Sequence, residues 1–293
     1  ADFATEGFTQ IVNNLAKIHW RWGQKADVVI RMPTGAGVAA GPFHSQSNEA
    51  WFAHTPGLKV VYPAFPYDAK GLLNAALADP NPVLFFEHKA LYRSVYQEVP
   101  SDYFTLPIGK ASLIKEGSDL TIIAYGQSVH WALDYLKEKP ELKVDLIDLR
   151  SLVPLDEEAI LESVKKTGRA LIITEDVEIG SVASDISSLI HEKCFEHLDA
   201  PVKRLCSLNT AVPFAKELED AGAPIWGTTV DTIDLAEDRE RFNALMRKLN
   251  INQPAGATVL TREEAFTAAS KIGYPVLVRP SYVLGGRGMA IVF

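Results

Sequence analysis

The 293-residue chain has only two cysteines and no apolar run of about 18 residues. The second absence excludes a membrane-spanning helix of ordinary length. Cys194 and Cys206 fall in no Cys-x-x-Cys or Cys/His array, which excludes a zinc or disulfide framework. They fit the reduced thiols of a cytoplasmic protein. The start, ADFATEGFTQ, lacks a basic stretch followed by an apolar one and so is not a signal peptide. It also lacks an initiator Met, and the natural chain is expected to begin further upstream. Positive charge is short, with 29 Lys and Arg against 37 Asp and Glu, a net charge of −8. That balance argues against a nucleic-acid partner. No Ser/Gly tract or Pro-rich spacer divides the chain.

What is present is apolar content. It reaches 47%, enough for two domains of ordinary size with their own cores. Phe8, Ile11, Val12, Leu15, Ile18 and Trp22 recur three and four apart, which predicts one helix with one buried face. DVVIRMP reads as a strand, TGAGVAAGPFHSQS as a Gly-rich loop and NEAWFAHTPG as a short helix. LKVVYP, YDAKGLLNAALADP and PVLFFEH follow as strand, helix and strand. YRSVYQEVPSDYFTLP breaks the pattern and reads as an inter-domain linker.

The alternation then resumes with DLTIIAYG, SVHWALDYLKEKP, KVDLIDLR, DEEAILESVKKTG and ALIITED. Alternating strands and helices predict parallel α/β sheets in two doubly wound units. Beyond residue 220 the character shifts. Residues 221–293 carry a net charge of +1 and the rest of the chain −9. Asp234 with Glu237 and Thr261 with Glu264 read as helix starts, the second as a capping box. YPVLVRP and AIVF read as strands.

The first chemical candidate is His44, on the Gly-rich loop where a ligand would meet an open parallel sheet. A histidine there is a proton donor or acceptor near neutral pH, or simply a surface side chain; composition alone favours the latter. The text around it settles more. GPFHSQSNEAWFAHTPGLKVVYPAFPYDAKGLL, FTQIVNNLAK, LPIGKA and LDAPVKRL resemble the β-subunit of the thiamine-diphosphate-dependent component of 2-oxo acid dehydrogenase complexes, a transketolase-like family. The likeness runs from residue 1 to about 219.

The resemblance implies a truncated pyrimidine-binding domain over 1–95 and a complete transketolase C-terminal-like α/β domain over 106–219. His44 matches the histidine that handles protons during decarboxylation and transfer to the lipoyl arm. Phe3 matches an aromatic beside the aminopyrimidine ring, often Tyr in relatives. Val28, Ala76, Leu77, Asp79 and Asn81 match positions that hold a structural K⁺ in some members. The diphosphate and its Mg²⁺ are held by a partner α-subunit or α-domain, and a lipoyl acyltransferase is the further partner in an oligomeric complex. The glutamate that protonates the cofactor matches nothing here, neither Glu6 nor Glu49. The chain alone is therefore not expected to turn over a 2-oxo acid. His19, His54, His88, His130, His191 and His197 match no catalytic motif and are expected to be structural.

IWGTTVDTIDLAEDRERF and IGYPVLVRPSYVLGGRGM resemble a different family, the large subunit of carbamoyl-phosphate synthase, at the opening of an ATP-grasp module. This implies a partial ATP-grasp segment over 221–293. Arg279 matches an ATP contact, a guanidinium fork suited to phosphate. Gly285 and Gly286 match a loop that closes over the nucleotide. The Mg²⁺-binding carboxylates of that family match no residue here, so a working ATP site is not expected. The two resemblances meet near Glu219, in FAKELED, which reads acceptably as either. The chain is thus expected to be a chimera of two fragments.

Overall fold

The computed structural model describes residues 1–38, 40–213, 239–249, 255–257, 259–278 and 290–292. It divides into two compact units, Ala1–Phe214 and Ala215–Phe293.

The first unit opens with an irregular helical stretch. A 3₁₀ turn (Ala4–Gly7), a π turn (Gln10–Asn14) and a second 3₁₀ turn (Leu15–Lys17) lead into α1 (Ile18–Trp22). This corrects the single helix expected over 8–22. Phe8, Ile11 and Val12 pack on the core, but the Trp22 side chain is 64% exposed. A π turn holds one residue more than an α turn, so the apolar register slips and the later positions rotate outward.

Next come β1 (Val29–Thr34), α2 (Glu49–Ala53), β2 (Lys59–Val61), α3 (Pro66–Ala78), β3 (Val83–His88) and α4 (Leu91–Ser94). β4 (Ser112–Lys115), β5 (Leu120–Ala124), α5 (Gln127–Glu138), β6 (Val144–Asp148) and β7 (Ser151–Val153) follow. The unit ends with α6 (Glu157–Thr167), β8 (Ala170–Val177), α7 (Val182–Cys194) and β9 (Lys203–Ser207). One sheet has the order β1-β3-β2-β7 and the other β4-β6-β5-β8-β9. Both are parallel at heart, as the alternation predicts. The additions are β4, antiparallel to β6, and β7, which leaves the second half of the unit to pair antiparallel with β2.

That crossing strand accompanies a shared core. One buried cluster runs through Phe52, Val60 and Phe86 around the first sheet and on to Ile123, Ile147, Ile172 and Ile186 around the second. All six residues of β3 are buried, as suits a strand paired on both sides. α6 has the ends its sequence suggests. Asp156 caps its first turn by accepting from Ala159 N, and Gly168 closes it in the left-handed region at φ 68°.

In the second unit, α8 (Arg239–Lys248) and α9 (Arg262–Ile272) precede the antiparallel pair β10 (Val276–Val278) and β11 (Ala290–Val292). Thr261 and Glu264 form the expected capping box. Asp234 and Glu237 lie outside the described residues. Among the described residues no helix is long and apolar enough to cross a membrane.

Candidate functional site

β1 ends at Thr34, and the loop beyond it returns to be stapled there. Thr34 Oγ1 donates to the Gln46 carbonyl at 2.7 Å, and Gly35 N donates to the same oxygen at 3.1 Å. Gly35 adopts φ +86°, and a Cβ there would overlap the His88 ring, so only glycine fits. Gln46 N donates to Asp2 Oδ1 at 2.9 Å, and Asn48 Nδ2 to the Ala1 carbonyl at 3.2 Å. Lys89 Nζ donates to the His44 carbonyl and pairs with Asp2 Oδ2 at 3.3 Å.

This stapling brings Phe3 and His44 together. Their ring centroids are 5.4 Å apart at 68°, edge to face. Phe3 is 63% exposed and His44 half-buried, so an aromatic surface and an imidazole share one open rim.

Behind the rim lies a buried polar layer that sequence reasoning missed. His88 Nδ1 accepts from Ala90 N at 3.3 Å, which leaves Nε2 to donate to Glu175. Glu175 also accepts from Ala36 N on the Gly-rich loop. A β8 side chain thereby holds both β3 and the loop. Glu49 is 1% exposed and accepts from Tyr125 OH at 2.9 Å. Burial, helped by the charge of Asp176, pushes its carboxyl up to about 8. Burial pushes Asp176 up to about 6 and drives the Tyr125 and Tyr62 hydroxyls well above their ordinary range. In open parallel sheets the strand ends carrying Tyr125 and Thr174 are where ligands enter. Here Glu49 of the first half occupies that place.

Among the positions matched to K⁺, the Val28 and Ala76 carbonyls and the Asp79 carboxylate already have partners. Asp79 Oδ1 accepts from Asn81 N at 2.9 Å and Asn81 Nδ2 at 3.0 Å, and Oδ2 pairs with Lys59 Nζ. Burial raises this carboxyl, but Lys59 and Asn81 outweigh it and hold it below the usual range. The Val28 carbonyl accepts from Val83 N at 2.9 Å and that of Ala76 from Asp79 N at 3.2 Å, while the Leu77 side chain is exposed. A free cation does not fit the Asp79 carboxylate as it stands. Among the described residues no group of three or more His, Cys, Asp or Glu side chains could hold a metal ion.

The remaining histidines serve local structure where their contacts are shown. His130 Nε2 bonds the Ala64 carbonyl at 2.8 Å, and His191 Nδ1 bonds the Ser187 carbonyl at 2.7 Å within α7. Cys194 is buried and Cys206 half-buried, and both are free. Arg279, Gly285 and Gly286 lie outside the described residues.

Residues 1–95 match the pyrimidine binding domain of transketolase and residues 109–225 the transketolase C-terminal domain. Residues 238–293 match the ATP binding domain of the carbamoyl-phosphate synthase L chain. The fold is therefore transketolase-like, followed by part of an ATP-binding module. Over 224 residues the chain is 48% identical to the 2-oxoisovalerate dehydrogenase subunit beta of Bacillus subtilis (strain 168), covering 75% of this chain and 68% of that one. It is 46% identical to the mitochondrial 2-oxoisovalerate dehydrogenase subunit beta of Dictyostelium discoideum, covering 74% of this chain and 60% of that one. It is 43% identical to the pyruvate dehydrogenase E1 component subunit beta of Acholeplasma laidlawii, covering 73% and 67%. A solved split-gene transketolase, described as an inactive β4 tetramer, shares the fold at TM-score 0.58 and 24% identity, covering 86% of this chain and 74% of that one. The chain belongs to the 2-oxo acid dehydrogenase β-subunit family and spans 60–68% of the length of these three relatives. Its C-terminal part is of carbamoyl-phosphate synthase type.

Proposed function

We propose that the chain is the β-part of a thiamine-diphosphate-dependent 2-oxo acid dehydrogenase. The observation that carries this is the Phe3–His44 pair on a stapled rim, in a chain of this family. Phe3 would lie against the aminopyrimidine ring. His44 would donate and accept protons at the reacting oxygen, with its loop fixed by Lys89 and Asp2. Bound thiamine diphosphate supplies the electron sink that loss of carbon dioxide requires. A partner α-subunit or α-domain would hold the diphosphate and Mg²⁺, and a lipoyl acyltransferase would take the acyl group. The family's working form is then a mixed oligomer, and this fragment, in which no residue matches the cofactor-activating glutamate, is inactive alone. The free cysteines suit a cytoplasmic setting.

The test is a titration with thiamine diphosphate and Mg²⁺, with and without an added α-subunit. Binding is expected only in the mixture. Tight binding by the chain alone, or none in the mixture, would contradict the proposal.

The Lys59 ammonium pairs with the Asp79 carboxylate, which supports the reading that this site needs no potassium. Exchanging KCl for NaCl at equal ionic strength should leave the unfolding midpoint unchanged, while Lys59→Met should lower it. A midpoint that rises selectively with KCl would restore the potassium reading.

The C-terminal match favours a second reading, an ATP-binding ligase fragment or a non-catalytic chimera that pairs with partner subunits. In it Arg279, Gly285 and Gly286 would meet nucleotide. The same titration run with ATP distinguishes these readings, because tight Mg²⁺-dependent binding would favour the ligase.

A further inference from the structure

The buried layer behind the rim has a feature that the proposed chemistry does not use. Glu49 opens α2 directly after the His44 loop, and its carboxyl reaches across to the second sheet. Tyr125 OH donates to Glu49 Oε1 at 2.9 Å and lies 2.6 Å from Thr174 Oγ1. A tyrosine hydroxyl has one proton, so the Thr174 hydroxyl donates to Tyr125, and Thr174 in turn accepts from Asp176 N at 3.1 Å. Glu49 Oε2 is buried and has no hydrogen-bond partner. Ser47 Oγ, Asn48 Oδ1 and Ser181 Oγ are also buried and unpartnered.

Every charged neighbour of Glu49 is unfavourable to its ionised form. From β8 come Asp176 and Glu175, both carboxylates. Tyr125 follows β5 and Tyr62 follows β2, and both are buried phenols. His88 of β3 is already engaged by Glu175, and Lys89 by Asp2 and the His44 carbonyl. α7, which packs against α2, buries Val182, Ala183 and Ile186, while its Asp185 is exposed. His54 beyond α2 and Glu6 of the opening turn are exposed as well. An ionised Glu49 would have two donors, its own backbone N–H and Tyr125 OH, but no cation and two acidic neighbours in a dry core, and such a charge is costly.

We propose that Glu49 is a proton-operated latch between the two halves of the first unit: uncharged, its carboxyl is tolerated in the dry space between α2, Tyr125 and β8, and loss of the proton puts a charge beside the β8 carboxylates that drives α2 out with the His44 loop attached to it. The device does not depend on the thiamine reading, because it joins two elements of this chain alone. Its operating point lies near pH 8, where burial and Asp176 place the carboxyl.

Infrared difference spectra of the full chain, carrying ¹³C-labelled glutamate, would be recorded from about pH 6 to about pH 9. Amide exchange over 45–53 and 121–125 would be followed in parallel, corrected for intrinsic base catalysis. The protonated-carboxyl band should disappear with a midpoint near pH 8, and exchange in both segments should rise with that midpoint. Glu49→Gln should lack the band and the step. Tyr125→Phe removes the donor that favours the carboxylate, so it should move the midpoint to higher pH. This second variant keeps the test open if the first fails to fold. A Glu49 carboxyl already ionised at pH 6, or an exchange step unchanged in both variants, would overturn the latch.

Discussion

Replacing Phe52 with alanine should lower the unfolding free energy of the 1–213 unit by about 3–5 kcal/mol. Phe52 is fully buried, with ring centroids 5.6 Å from Phe8 and 6.2 Å from Phe86. Phe86 in turn stacks on Tyr62 at 5.7 Å, and Tyr62 meets Tyr125 at 5.4 Å. The aromatic chain therefore runs from the opening helical stretch to the second sheet. α2 has only five residues, too few to persist without tertiary anchorage, and Phe52 is its deepest anchor. Truncation would leave a cavity that none of these rings can refill without shifting its neighbours. Trp51, the adjacent residue, is partly exposed, so Trp51→Ala should cost clearly less. Denaturant unfolding of both variants checks the comparison. Equal losses would mean that α2 is not held from within.

The second large effect is a loss of stability with rising pH. Glu49 titrates near 8 in the folded chain against 4.5 in the unfolded one, and Asp148 near 7 against 3.8. Burial dominates both shifts. Asp148 Oδ1 accepts from Arg150 N at 3.1 Å, while its Oδ2 is buried without a partner. Both folded values lie above the unfolded ones, so the folded chain holds more protons in the window between them. The stabilisation is complete below about pH 4 and is lost as the pH climbs through about 7 to 8. At 1.36 kcal/mol per unit, Glu49 alone accounts for up to roughly 5 kcal/mol, an upper bound because relaxation would spare part of it. Asp79 and Asp145, held low by Lys59 and Lys166 against the effect of burial, act in the opposite sense, but only below about pH 4. Unfolding free energies measured from about pH 5 to about pH 9 should therefore fall. Glu49→Gln and Asp148→Asn should each flatten the curve. A flat or rising wild-type profile would remove the basis for both buried acids.

The parallel strands and their helices were legible because runs such as PVLFFEH and VDLID are bounded by turn residues and alternate with helical text. β4 and β7 were not, because short antiparallel strands carry little periodic signal and their pairing is decided at long range. Trp22 misled because the residues alone do not show where a helix will take a π turn. His44 and Phe3 were legible from the text around them, and the stapled loop explains why they meet. Glu175 was not legible, because its contacts lie far along the chain. Glu49 belonged to a recognised motif, yet its burial beside Asp176 depends on the second sheet filling the space above it. The Asp79 turn could be read from sequence, but the Lys59 ammonium on its carboxylate could not.

The titration with thiamine diphosphate addresses the central claim most directly, that residues 1–213 carry the pyrimidine-facing half of a two-chain cofactor site. With Mg²⁺ and an α-subunit present, saturable binding is expected that the chain alone does not show. Phe3→Ala should weaken that binding, and His44→Ala should leave it nearly unchanged, since His44 is assigned to proton transfer and not to holding the ring. Binding by the chain alone with equal affinity, or a mixture indifferent to Phe3→Ala, would contradict it.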